Sequence, residues 1–312
     1  RRDDYLQVVT ETLSFLQKEM SDSSGAFVAS LSSLDNKGVE GGYYLWSLPG
    51  LEKLLSTDEI RVYRLISGMM GAPPFENGYL PMQALTAGEV SVSLKMNIDK
   101  VSALLVSAQN KLREVRNRRS IPVDTKLLAG WNGLALSAYS EAAHTLKDPR
   151  HVETAKKLRN YLVNSLWTSH GLRRAVVNDR SVGQASLEDY AQVARGLLDY
   201  ARLTKQRSDY QMARRVVDAA WQRFYSSTGW RLSEKMLVQT GASRDVYADG
   251  PMPSPSASIL ITSLALAKQH NDRALYKKAL ATLNSGHKAI QSEPFWYATH
   301  VAAMVQAINL FR

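Results

Sequence analysis

The chain contains no cysteine. Disulfides, thiolate-bound zinc, iron–sulfur clusters and thiol nucleophiles are thereby excluded within it. A cysteine-free chain is stable in either redox setting, and a cytoplasmic location is the working expectation. No apolar run approaches the length needed to span a bilayer, so no membrane partner is expected. No glycine-rich phosphate loop follows a strand, and the six histidines show no His-Glu-x-x-His pairing. Neither a metal nor a cofactor is therefore expected. The chain opens Arg1-Arg2-Asp3-Asp4 without a signal-like segment and reads as a fragment or processed piece.

What is present suits a folded domain. Hydrophobic residues make up 45% and charged residues 22% of 312, enough apolar material for a sizeable core. The formal net charge of +10 favours acidic partners. Lys111, Arg113, Arg116, Arg118 and Arg119 crowd one stretch. No aromatic residue is interleaved there to stack bases, so nucleic acid is not the expected partner. A solvated helix end, with cations offsetting its carbonyl dipole, accounts for the run.

Periodicity organises the chain. Tyr5, Val8, Val9, Leu13 and Leu16 stand at helical spacing over Asp3 to Met20. Short β-like runs at Ala26–Ser30 and Gly42–Ser47 predict a small hairpin within residues 26–47. Helical patterning returns over Leu51–Met70 and Leu94–Arg119, the first closed by Gly71-Ala72-Pro73-Pro74. From residue 121 a two-helix unit repeats three times, beginning at Trp131, Glu188 and Ser254, with a final helix after it. These units are longer than the roughly 34 residues of a tetratricopeptide repeat. In each, the first helix is apolar nearly all round and the second carries one apolar stripe. A helix apolar on every face is buried on every face, so the pattern predicts inner and outer rows of an all-α, (α/α)6-like toroid over residues 1–312, incomplete in this chain.

Inner helices of such a toroid aim their N-terminal ends at one mouth. Asp124, Lys126, Trp131 and Asn132 precede or open the first. Glu188, Asp189 and Tyr190 open the second, and Asp249 precedes the third. Carboxylates and aromatics around a concave mouth suit sugars, whose hydroxyls bond acids and whose rings stack on aromatic faces. Paired carboxylates also suit glycoside chemistry. Equally, Asp and Ser before a helix serve as N-caps.

Three ordered stretches carry a resemblance: Val123-Asp124-Thr125-Lys126 through Trp131-Asn132-Gly133-Leu134, Leu187-Glu188-Asp189-Tyr190-Ala191, and Gly38-Val39-Glu40-Gly41-Gly42-Tyr43-Tyr44-Leu45-Trp46. The chain resembles the family of bacterial thioredoxin-domain proteins and their animal relative, spermatogenesis-associated protein 20. The resemblance implies a six-hairpin toroid similar to glycosidases and N-acylglucosamine 2-epimerases, set beside a thioredoxin-like module. It departs at Ser33, which stands for the first acid of the family's aspartate–alanine–aspartate triplet and leaves Asp35 as the one acid kept. Met252 and Ser256 stand where the family has glutamate and asparagine.

The resulting expectation is a carbohydrate-active or carbohydrate-binding toroid, with Glu188 or Asp189 as general acid or base. Asp35, Glu40, Asp124 and Asp249 would orient the sugar beside Asn132, Lys126 would supply positive charge, and Trp46, Trp131 and Tyr190 would stack on it. A non-catalytic scaffold beside a thioredoxin-like module is the competing expectation. An incomplete ring would expose inner-helix surface at roughly 25 cal/mol per Å². An upstream segment of the parent chain, or self-association, is therefore expected to close it.

Overall fold

A computed structural model describes residues 3–177, 180–234, 246–285 and 287–310. Among the described residues the first five helices are α1 (Asp3–Phe15), α2 (Leu48–Glu52), α3 (Thr57–Ile66), α4 (Ala87–Leu94) and α5 (Ile98–Arg116). Next come α6 (Ala129–Leu146), α7 (Pro149–Tyr161), α8 (Leu187–Thr204) and α9 (Arg207–Phe224). The last four are α10 (Pro255–His270), α11 (Arg273–Ser285), α12 (His287–Ser292) and α13 (Ala298–Leu310). Strands are short: β1 (Ser30–Leu31), β2 (Val123–Asp124), β3 (Leu127–Leu128), β4 (Trp167–Thr168), β5 (Gly171–Val177) and β6 (Arg180–Gln184). Two more, β7 (Tyr225–Ser226) and β8 (Gly229–Trp230), close a tight hairpin. No described helix is long and apolar enough to cross a membrane.

Where the patterning treats 1–312 as one domain, backbone contacts divide the chain into two compact units. The first comprises Arg1–Ala29 with Thr125–Arg312, the second Ser30–Asp124.

In the first unit α6, α8 and α10 pack side by side, and α7, α9 and α11 each pack against the helix before them. α8 is buried on nearly every face from Leu187 to Ala201. α9 instead buries the stripe Tyr210, Ala213, Val216, Val217, Ala220, Trp221 and Phe224, leaving its other face for charged residues. Each inner helix ends on a left-handed residue, Lys147, Lys205 or Asn271, which turns the chain sharply into its outer partner. The first unit is thus all-helical in its core, with three inner–outer helical pairs among the described residues, the arrangement expected of toroid hairpins.

The inner helices meet closely because glycine faces backbone. A Cβ on Gly133 of α6 would stand 2.6 Å from the Gln192 carbonyl carbon of α8, and one on Gly196 would stand 2.3 Å from the Gly133 oxygen. No side chain fits there without the helices moving apart. The antiparallel strands β4 and β6, with β3, all pair with β5, tying the loop after α7 to the start of α6.

Within residues 26–47 an isolated antiparallel bridge joins Leu34 and Glu40, but the runs 26–30 and 42–47 do not pair with each other. β1 pairs with β2 instead, Ser30 opposite Asp124. Two causes are visible. The Asn132 side chain takes up the Phe27 backbone, accepting from its N–H at 2.7 Å and donating to its carbonyl at 3.0 Å. Downstream, Asp35 accepts from the Lys37 and Val39 amides, so the chain folds back over 34–40 rather than returning to residue 27.

The second unit packs α2, α3 and α5 around Trp46, Leu51, Leu55, Tyr63, Met69 and Leu112. A smaller cluster of Val62, Ile66, Val90 and Val101 seats α4. The helix expected over Leu94–Arg119 begins later, at Ile98. Lys95 takes a left-handed conformation at φ 50°, and the Asn97 side chain caps the new start. The Leu51–Met70 segment likewise breaks at Ser56, whose capping box with Glu59 starts α3.

Candidate functional site

At the N-terminal ends of α8 and α10 the first unit encloses a cavity of about 340 Å³. Glu188 and Asp249 share its wall with Leu232, Met252 and the prolines around Ser254. Glu188 is the second residue of α8, half-buried, where the free N–H groups and positive dipole end of the helix favour an anion. Among the described residues it makes no hydrogen bond or ion pair, so its carboxylate remains available to a ligand.

Asp249 is fixed. One carboxylate oxygen accepts from the Ser254 amide and the other from the Thr299 amide, both at 2.8 Å. Burial works to raise its pKa, but these hydrogen bonds and the nearby His300 outweigh it and hold the pKa below the usual value. Ser254 caps α10, its hydroxyl accepting from the Ala257 amide and donating to the Val246 carbonyl. The cavity therefore pairs one anchored anion with one unengaged carboxylate.

Three residues expected at the site are buried and hydrogen-bonded within the fold, outside this cavity's wall. Asp189 is buried: one oxygen accepts from the Ser186 amide (2.8 Å) and hydroxyl (3.0 Å), the other from the Gly130 amide at 3.2 Å. It completes the capping box of α8 and ties that helix to the start of α6. Burial raises its pKa against these hydrogen bonds. Tyr190 is buried between Trp167 and Phe224, and its hydroxyl accepts from the Leu172 amide at 2.9 Å, so its ring has no face for a sugar. Asn132 spends its amide on Phe27 and on the Leu128 carbonyl.

Trp131 opens α6 with 49% of its surface exposed, and Lys126 is half-buried just before β3. Neither belongs to the cavity wall. Asp35, Glu40, Trp46 and Asp124 stand in the second unit. Glu40 is exposed, while Asp35 is half-buried in its turn. There the Val39 amide, then the Lys37 amide and the charges of Lys37 and Arg119, hold its pKa low against desolvation. Trp46 is buried, with the Arg119 guanidinium 4.0 Å from its ring centroid, which occupies a face that a sugar would need.

Arg119 itself was not singled out by pattern. One of its terminal nitrogens donates to the carbonyls of Gly42, Tyr43 and Leu45, so one member of the basic run is a structural clamp. His300 is 2% exposed and sits 3.4 Å from the Ser256 hydroxyl. His287 lies outside the described side chains. Among the described residues no cluster of histidine and acidic groups has the arrangement to hold a metal ion.

No family model matches the chain. It is similar to human spermatogenesis-associated protein 20, 26% identical over 260 residues, which is 72% of this chain and 33% of that protein. The chain thus spans about a third of the length of the curated relative it matches. The solved structures that overlap it in part include two sugar enzymes. One is a cellobiose 2-epimerase from Bacillus thermoamylovorans, with a TM-score of 0.43 at 15% identity over 51% of this chain and 44% of that one. The other is a family 76 glycoside hydrolase (mannosidase) from Bacteroides thetaiotaomicron, with 0.43 at 14% identity over 75% and 72%.

Proposed function

We propose that the first unit binds a carbohydrate in the Glu188–Asp249 cavity and acts on it in glycosidase-like or epimerase-like fashion. The observation carrying this is Glu188: a half-buried carboxylate at a helix N-terminus, unengaged among the described residues, facing a cavity it shares with an anchored anion. In this reading Asp249, held ionised by two backbone amides, accepts hydrogen bonds from sugar hydroxyls through its remaining lone pairs. Glu188 is the group that takes or gives a proton. Asp189 acts as a positioning residue, fixing the first turn of α8 and with it Glu188. Trp131 and Lys126 remain proposed contacts for a longer saccharide, and Asp35, Glu40, Trp46 and Asp124 enter only through the family resemblance.

Met252 favours a second reading. It lines the same cavity at the position where the resembled family carries glutamate. A site with one acid fewer suits binding without turnover, as in a scaffold beside a thioredoxin-like module. Titration with a panel of mono- and disaccharides, with product analysis alongside, separates the two. Turnover supports the enzyme, saturable binding without product supports the scaffold, and no binding to any member sinks both. Glu188→Gln is expected to weaken binding or turnover about tenfold or more, since a charge-assisted hydrogen bond is lost. Stability should fall by no more than about 1 kcal/mol, the helix-dipole contribution of a first-turn carboxylate. Unchanged sugar behaviour in Glu188→Gln overturns the assignment.

Two helix faces extend the proposal to partners. α1 exposes Tyr5, Val8, Val9 and Phe15, and α13 exposes Val301, Val305 and Ile308. In the 312-residue chain by itself we expect these faces to meet a second copy, as a stand-in for further hairpins of a longer parent chain. Light scattering should report a mass above that of the monomer, falling to the monomer in a Val8→Lys/Val305→Lys variant. A monomer at every concentration would remove this part of the proposal.

A further inference from the structure

The second unit holds a cavity of its own, of about 250 Å³. Four of its lining residues come from one helix: Gln109, Leu112, Arg113 and Arg116. Their spacing, i, i+3, i+4 and i+7, places them on one face of α5. The facing wall is the Tyr44–Trp46 segment with Leu80 and Pro81. Reciprocal backbone hydrogen bonds between Trp46 and Tyr79, at 3.0 and 2.9 Å, hold those two segments together.

The charge in this cavity is uncompensated. Arg113 and Arg116 both line it, and among the described residues neither makes an ion pair. Arg113 has one weak hydrogen bond, to the Asn110 side chain at 3.4 Å. Arg116 lies 5.9 Å from the centroid of the Tyr43 ring, and its Nε is buried with no acceptor among the described residues. The one buried acid of α3, Glu59, is already committed to Lys111 and Ser107. Cations at a helix C-terminus are explained by the helix dipole. The dipole does not explain a guanidinium drawn against a polar cavity with an N–H left unsatisfied, because buried donors in folded proteins are almost always paired.

We infer that this cavity is a binding site for a small oxyanion, a phosphate- or carboxylate-bearing molecule. Two guanidinium groups three residues apart present forked N–H donors that match either group. Gln109 adds an amide at the rim, and Tyr44 adds a half-buried aromatic edge for whatever carries the anion. The volume falls below the roughly 300–1,000 Å³ of pockets that hold drug-sized ligands, so the ligand is small. The site stands independently of the sugar reading, since it uses no residue of the first unit.

The test is isothermal titration of the whole chain with inorganic phosphate and, separately, with acetate, against sodium chloride matched in ionic strength. Saturable binding of either anion above the chloride control is expected, and whichever binds more tightly identifies the group recognised. Arg116→Gln and Arg113→Gln should each weaken it about tenfold or more, as expected for loss of a bidentate contact. Arg118→Gln, an exposed cation of the same run outside the cavity, should leave it unchanged. Should Arg116→Gln fail to fold, the exposed Arg113→Gln still decides the matter. Binding equal to the chloride control, or equal losses at Arg113, Arg116 and Arg118, would reduce the effect to diffuse charge and overturn the site.

Discussion

Asp189→Ala is expected to lower the unfolding free energy of the first unit by about 3 kcal/mol, read from urea midpoints at neutral pH. Its carboxylate accepts three hydrogen bonds, from the Ser186 amide, the Ser186 hydroxyl and the Gly130 amide. The alanine leaves two backbone N–H groups inside the fold without acceptors, and each such loss costs roughly 1–3 kcal/mol. Asp189→Asn keeps one acceptor oxygen and removes a charge that burial already disfavours, so about half that loss is expected from it. The pair of variants also separates positioning from chemistry. Any folded Asp189 variant should retain sugar binding in proportion to its folded fraction, whereas Glu188→Gln should lose binding while remaining fully folded. An Asp189→Ala protein as stable as the parent would show that the α6–α8 tie does not matter.

That contrast between neighbours marks the limit of what the sequence discloses. The inner helices were legible because apolar residues on every face of α8 and α10 leave no solvated side to choose. The stripe of α9, from Tyr210 to Phe224, was equally plain. The roles of Glu188 and Asp189 were not, although both precede the same run. Which of two adjacent acids faces the cavity depends on the first turn of the helix, and Ser186 three residues before Asp189 is the only local clue. The hydrogen bonds of Asn132 were likewise illegible, because its partner, Phe27, lies far away in the chain. The pairing of the 26–30 run was illegible for the same reason, since the groups that satisfy the Phe27 backbone are supplied by α6. Arg113, Arg116 and Arg119 looked alike as a basic run. Only the fold divides them into two cavity cations and one clamp on the 42–45 carbonyls.

The second large effect concerns acid. Glu59 is 3% exposed and accepts from Lys111 at 2.8 Å and Ser107 at 2.6 Å, while its other oxygen completes the Ser56 capping box. Burial pushes its pKa up, but the hydrogen bonds from Lys111, Ser107 and Ser56 outweigh it and bring the value from 4.5 to about 2. A carboxylate with a depressed pKa stabilises the fold above its unfolded value and loses that contribution as pH falls through the folded one. At 1.36 kcal/mol per unit the contribution is roughly 3 kcal/mol, present in full above about pH 5 and gone near pH 2. Glu59→Gln should therefore weaken the packing of α3 on α5 by about that amount at neutral pH and by almost nothing at pH 2. Hydrogen exchange of the α3 and α5 amides, followed between pH 7 and the lowest pH that keeps the protein folded, reads this difference locally. Curves for the parent and the variant that run parallel across that range would mean that Glu59 is not the acid-sensitive link. Curves that converge only as the pH approaches 2 would locate the acid lability of the second unit in this one buried carboxylate.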